Sequence, residues 1–374
     1  MALIRSEKVC FALLMVLCAR PAALAQQPDA GEDGQFRFRF VGPRVGNRIA
    51  SVAGVPGDPS TYYAGAASGG VWKSTDGGNR WAPIFDKQPV AAIGALAVAP
   101  SDPSVVWAGT GEAWVIRDSD VIGNGIYKST DAGKTWTNMG LQETGRIGRI
   151  IVSAANPEVV FACALGRATG PQQERGVFRT LDGGQHWERV LFAGENIGCS
   201  GLSMDPHNAR VLFAGMWQLE MHTWAELSGG PGSGVYVSRD GGTKWTRIEE
   251  HGLPHAPLGK IDVAVAPTNS NRVFALIQTK DQGSLWRSDD AGFHWKAVNY
   301  QRSLIGRAGY YIRIAVSTGN DNEVLVANSS FHQSLDGGQN FQEVRWGGDT
   351  HDIWIDAANP DRFVITDDAG MKMP

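Results

Sequence analysis

Residues 70–81, GVWKSTDGGNRW, form an alternating apolar strand that runs into a tight turn and leaves it at a tryptophan. Each position has a physical task. Asp76 can accept backbone N–H bonds across the turn, as aspartates in Asx-turns do. Gly78 can take the positive φ that closes a hairpin. Trp81 can fold back and seal the turn over apolar neighbours. The phrase recurs as GIYKSTDAGKTW from Gly125, GVFRTLDGGQHW from Gly176, GVYVSRDGGTKW from Gly234, SLWRSDDAGFHW from Ser284 and FHQSLDGGQNF from Phe331. Its hydroxyl residues, Ser74, Ser129, Thr180, Ser238, Ser288 and Ser334, are spaced by 52 residues on average. The aspartates Asp76, Asp131, Asp182, Asp240, Asp290 and Asp336 are therefore read as hairpin chemistry and not as catalytic acids.

A second punctuation lies between these phrases. Pro/Asn/Asp turns occur at Pro56–Pro59, Pro100–Pro103, Asn156-Pro157, Asp205-Pro206, Pro267–Asn269, Gly319–Asp321 and Asn359-Pro360, each followed by another short apolar strand. Every unit then holds four strands. A four-stranded unit repeated at about 50 residues is a propeller blade. The expectation is an all-β, seven-bladed β-propeller of four-stranded blades. A β-sandwich would not give six equivalent turns. The seventh blade reads as incomplete at the C-terminus, with two inner strands at Asp352–Asp356 and Phe363–Thr366, and the alternating strand Gln35–Phe40 as a candidate to help close the ring.

The rest of the chain bounds its class. Arg5 and Lys8, an apolar run from Val9 to Leu24, and Ala23-Leu24-Ala25 read as a cleaved signal peptide over residues 1–25. Residues 26–34 read as a polar linker and 35–374 as a single propeller domain. The expected location is exported, periplasmic or extracellular, with no membrane span after cleavage. The full chain has 34 basic and 38 acidic residues, and loss of the leader takes the net charge from −4 to −6. That balance argues against a nucleic-acid partner, which would require a basic stripe. Cys10 and Cys18 leave with the leader. Cys163 and Cys199 lie in apolar strand-like runs and are read as two small buried hydrophobes, with a single bridge as the alternative. No cofactor and no metal are expected, since His351-Asp352 and Asp367-Asp368 lack a recurring ligand spacing.

The repeated phrase resembles the Asp-box (BNR) repeats of sialidases, xyloglucanases and the sortilin luminal propeller. The chain as a whole resembles exported bacterial proteins described as sortilin N-terminal-like or glycosyl-hydrolase-like. That likeness rests on Phe40–Pro43 with Gly46–Ile49, Gly109–Glu112, Ile147–Ile150, Gly170-Pro171 with Glu174–Gly176, Ala214–Gln218 and Gly348–Asp356. It implies a binding module or a hydrolase without choosing between them, because fold does not imply function.

Strand-two-to-three loops and blade-to-blade loops share the face opposite the repeated turns, where variable loops place ligand sites. The ligand-binding candidates there are Trp114, Arg146, Arg175, Trp217, Trp224 and His351; a solvated rim is the plain alternative. A glycosidase needs two facing carboxylates, and Glu112, Glu174, Glu226 and Asp352 are the candidates. The xyloglucanase resemblance would place a catalytic Asp just before the first blade's Gly-Gly, but Ala67 stands there in Ala66–Gly70. The sialidase resemblance implies an Arg-Ile-Pro segment, which the chain lacks. The sequence thus favours an interaction module for a glycan, polysaccharide or extended peptide and leans away from an enzyme. A xyloglucanase-like glycoside hydrolase is the alternative.

Overall fold

The computed structural model describes residues 48–113, 115, 122–345 and 348–373. The leader, the linker, Gln35–Phe40 and Trp114 lie outside the described residues. Seven antiparallel sheets follow one another along the chain as the seven blades of a β-propeller. Their inner strands are Ile49–Gly54, Ile93–Ala99, Ile147–Val152, Ile197–Asp205, Ile261–Ala266, Arg313–Val316 and Ile353–Ile355. Blades 1, 2, 3, 5 and 6 have four strands in chain order from the axis outward. Blade 4 adds a fifth strand, Ala225–Ser228, which pairs with the far end of the long strand Asn208–His222. Blade 7 has three strands, Ile353–Ile355, Phe363–Asp367 and Gly370–Lys372, one more than the sequence reading assigned to it.

The inner strands are rich in Ala and Gly because neighbouring blades converge at the axis. A Cβ on Gly94 would lie 2.2 Å from the carbonyl oxygen of Gly111 and 2.5 Å from that of Ile147. Only glycine fits so close to a backbone. Apolar residues fill the wedges between blades, so the core is a series of inter-blade layers. Val71, Phe85 and Tyr127 pack between blades 1 and 2, and Trp107, Ile147 and Phe178 between blades 2 and 3. Val52 and Tyr62 of blade 1 meet Val364 of blade 7, with Trp354 and Met371 against them, which joins the last blade to the first.

The six Ser/Thr-x-Asp turns are near copies. In each, the Ser or Thr hydroxyl donates to the Asp Oδ1 at 2.8–3.0 Å and accepts the N–H of the glycine four residues on at 2.8–3.0 Å. The same Oδ1 accepts the N–H four residues after the Asp. These bonds hold all six carboxyls below the usual carboxylate range; Asp131, bonded first by the Thr135 hydroxyl and then by its N–H, is held down to about 2. Two adjacent residues per turn have positive φ, so Ala132 (φ 59) and Ala291 (φ 58) occupy left-handed positions held elsewhere by glycine. The aromatic seal takes two forms. Trp81, Trp245 and Trp295 donate to a carbonyl of their own turn, whereas Trp136 and Trp187 donate to Ile84 and Met139 of the preceding blade.

One sequence expectation is corrected. Cys163 of blade 3 and Cys199 of blade 4 form a disulfide, with a Cα separation of 5.1 Å. Both lie in apolar runs as expected, but the inner strand of blade 4 passes beside the second strand of blade 3 and brings the two thiols together.

Candidate functional site

Turns between strands one and two, and between three and four, share one face of the disc. The opposite, loop face carries the connections from strand two to three and from blade to blade. Beneath that face, on the axis, lies an ion quartet of which Arg313, Asp262 and Asp352 are buried and Arg149 is half-buried. Arg313 Nε is 3.2 Å and Arg149 Nη1 3.4 Å from Asp352 Oδ1, and the two guanidiniums lie 3.9 and 3.8 Å from Asp262 Oδ2. Asp352 also accepts the Ser51 hydroxyl and the Val52 N–H, and Asp262 accepts the Ile314 N–H. Blades 1, 3, 5, 6 and 7 are thereby tied across the channel. The quartet consumes Asp352, one of the four candidate catalytic carboxylates.

Above the quartet sits a cluster centred on Tyr310 and Tyr311, carried by the loop between blades 5 and 6. Both rings are buried and pack against Ala50 and Ala67 of blade 1. Ala67, where the resemblance would put a catalytic Asp, is therefore in an apolar contact. The Arg48 guanidinium lies 5.9 Å from the Tyr310 ring centre and donates to Glu112 at 2.6 Å. Burial opposes the charge of Arg48, but the Glu112 hydrogen bond and carboxylate outweigh it and hold the guanidinium above its ordinary value. Arg307 lies over both tyrosine rings and bonds Asp349 at 2.8 and 2.9 Å. Tyr311 donates to the same carboxylate; burial and that contact raise its hydroxyl well above the usual phenol range. His351, fully buried, bonds the Ile49 carbonyl through Nδ1 at 2.9 Å and lies 3.3 Å from Asp368 through Nε2.

On the far side of the tyrosines, Lys260 Nζ donates to the Tyr310 carbonyl at 2.9 Å and sits 4.9 Å from the Trp217 ring centre. Burial, and next the Arg313 charge, lower this lysine to about 7, with Glu226 and Asp262 acting in the opposite direction. Glu226 itself is half-buried against the tyrosine loop: a Cβ on Gly309 would lie 2.5 Å from its Oε1.

Glu226 belongs to an arm, the hairpin made by the end of Asn208–His222 and Ala225–Ser228. Its base is anchored by Trp217, Leu219 and Met221, which pack with Leu165 and Ala168 of blade 3. At its tip, Trp224 is 82% exposed and stacks on His222 with ring centres 5.0 Å apart and planes within 8°. Of the tryptophans singled out in sequence, the two that are described have different positions. Trp217 is core, with its indole N–H on Ser228, and Trp224 is an exposed, pre-oriented flat ring.

The remaining candidates are scattered. Arg146 and Arg175 are buried; Arg146 donates to the Gly166 carbonyl, and Arg175 to those of Leu219, Arg167 and Gly170. Burial and the Arg146 charge lower Arg175 to about 10. Glu174, half-buried, lies in the loop that Arg175 braces. Sequence reading did not single out Arg48, Lys260 and Tyr311. Lys260 had a visible signal, a lone cation directly ahead of an apolar inner strand (Gly259-Lys260-Ile261), and Tyr310-Tyr311 follow a glycine-rich loop.

Fold and loop-face chemistry together define a seven-bladed propeller with an aromatic and charged cluster over its axis. No family model matches the chain. It is similar to the xyloglucanase Xgh74A of Acetivibrio thermocellus, 26% identical over 278 residues that make up 66% of this chain and 31% of that protein. It is also 25% identical over 323 residues to a probable oligoxyloglucan-reducing end-specific xyloglucanase of Neosartorya fischeri, covering 73% of this chain and 37% of that one. The chain spans about a third of the length of the curated relatives it matches. Among solved structures, an ancestral GH74 enzyme superposes with a TM-score of 0.58 at 18% identity, over 88% of this chain and 48% of the other. YCF48 from Cyanidioschyzon merolae does so at 0.56 and 15% identity, over 88% and 96%. These superpositions show the fold.

Proposed function

We propose that this chain is a xyloglucanase-type propeller that binds a β-linked polysaccharide across its loop face. In this reading it is the glycan-binding lobe of a glycoside-hydrolase architecture. The observation that carries it is Trp224. A flat indole held in one orientation by His222 and presented at the tip of an anchored arm suits the apolar face of a sugar ring. The curated relatives, all named xyloglucanases, favour this reading over a sortilin-like interaction module. Ala67, packed against Tyr310 and Tyr311 where the resemblance would put a catalytic Asp, supports binding over bond cleavage in this lobe. Residues 1–25 act in this reading as an export signal, which N-terminal sequencing of the mature protein tests.

The test is titration of the purified protein with xyloglucan oligosaccharides, beside a reducing-sugar assay on xyloglucan. We expect saturable binding that Trp224→Ala weakens by roughly tenfold, the size of one lost aromatic contact at a binding surface, and no release of reducing ends. Absence of binding to xyloglucan and other β-glucans would sink the proposal. Hydrolysis by this chain would overturn the assignment of binding alone.

A further inference from the structure

On the outer rim, away from the axial cluster, a cleft of 480 Å³ lies between the outer strands of blade 4 and the repeated turn of blade 5. That volume is within the range of small-ligand sites. One of its lining residues breaks the repeat that surrounds it. The position after the second glycine of each turn holds the polar Asn79, Lys134, Gln185, Thr243 and Gln339, but Phe293 in blade 5. The position between hydroxyl and Asp varies from turn to turn and holds Arg239 in blade 4. The two side chains meet. The Arg239 guanidinium lies 4.1 Å from the Phe293 ring centre and is steered there by a 2.8 Å bond to the Ala291 carbonyl, while the ring stays 57% exposed.

Charge in the cleft is of the opposite sign to that of the whole chain. Arg239, Lys244 and Arg247 line it against Asp240 and Glu249, and Arg247 lies 3.6 Å from Glu249. The Asp240 carboxylate is already bonded within its own turn by Ser238, Thr243 and Lys244. An aromatic ring with the Arg239 guanidinium over one face and its remainder exposed, with Lys244 in the same cleft, matches a sugar ring that carries a carboxylate. We propose that this cleft is a second saccharide site, for an acidic, uronate-containing oligosaccharide. Phe293 takes the ring's apolar face, and Arg239 and Lys244 take the carboxylate. The proposal does not depend on the loop-face reading, whose ligand is neutral.

Titration with an oligogalacturonate tests it, with a neutral xyloglucan oligosaccharide and inorganic phosphate as comparison ligands. The expected result is saturable oligogalacturonate binding that Phe293→Ala and Arg239→Ala each weaken about tenfold. Phe293→Tyr should restore it, Trp224→Ala should leave it unchanged, and added salt should weaken it because exposed charges are screened. Phe293 is largely exposed, so its removal leaves the fold intact. No oligogalacturonate binding, or binding indifferent to both alanine variants, overturns the proposal, as does phosphate competing at equal concentration. If xyloglucan binding fails while oligogalacturonate binding holds, only the loop-face reading falls.

Discussion

The two faces of the disc obey different rules. On the turn face six hairpins repeat the same bonds, so each Ser/Thr–Asp pair is explained by its own turn. On the loop face charged and aromatic groups from blades 1, 2, 4, 5, 6 and 7 converge above the axis. The blade 4 connection there adds a ladder of its own, Leu219–His222 against Ala225–Ser228. Departures from repetition occur on both faces: Tyr310-Tyr311 and the Trp224 arm on one, Phe293 on the other.

The largest effect is expected where the two regions meet, in the axial quartet. Arg313→Met leaves Asp352 and Asp262 buried with Arg149 as their remaining guanidinium. Removing one partner of a buried ion pair typically costs about 3–5 kcal/mol. Urea unfolding should show a loss of that order, with the midpoint well below wild type. A loss under about 1 kcal/mol would mean that the channel is wet and the quartet behaves as a surface network.

Next comes a turn. Ser129→Ala removes the hydroxyl that donates to Asp131 and leaves the buried Gly133 N–H without its acceptor. A stranded buried donor costs about 1–3 kcal/mol. The equivalent Ser238→Ala should cost a similar amount, because its turn has the same bonds. Unequal losses would break the claim that the turns are interchangeable. The depressed turn carboxylates add a pH signature: their contribution is present above the unfolded pKa near 4 and is lost as pH falls toward about 2.

The loop face has its own signature at neutral pH. Lys260 is lowered to about 7 in the fold from an ordinary value of 10.5, chiefly by burial. Between those values the unfolded chain holds a proton that the folded protein has released, so stability rises with pH across that window. Below about 7 both states are protonated, and the burial penalty is fully present. The dependence of the melting midpoint on pH between 7 and 10 should flatten by up to about one proton in Lys260→Met. An unchanged slope would show that water reaches Lys260.

The same contrast explains what was legible in the sequence. Seven blades, six turns and the structural role of six aspartates could all be read, because each rests on contacts within a dozen residues of chain. The quartet joins Arg149, Asp262, Arg313 and Asp352, and Arg48 finds Glu112 64 residues away. Such pairs are set by where strands arrive around a ring, and no local pattern records them. For that reason the sequence pattern suggests a rim carboxylate at Asp352 and a ligand contact at Trp217, although both are interior. Trp224 is exposed at the tip of a hairpin that the sequence reading takes for a loop. Cys163 and Cys199 show the boundary: their burial was visible, and their pairing required the register of two blades.

The smallest expected effect tests the turns at their least comfortable point. Ala132 and Ala291 sit at left-handed φ values of 59° and 58°, where four sister turns place Gly77, Gly183, Gly241 and Gly337. An L-residue with a Cβ costs about 1–2 kcal/mol there, while glycine gives back part of the gain as unfolded-state entropy. Ala132→Gly should therefore stabilise the protein by about 0.5–1 kcal/mol, against the usual direction for glycine substitution. The change should appear as a raised urea midpoint with an unchanged slope, since the surface exposed on unfolding is the same. Ala132 also donates its N–H to Ser104 and lends its carbonyl to Lys73 and Tyr63. Those backbone bonds survive the substitution, so a destabilised Ala132→Gly would mean that the turn relies on the methyl group itself.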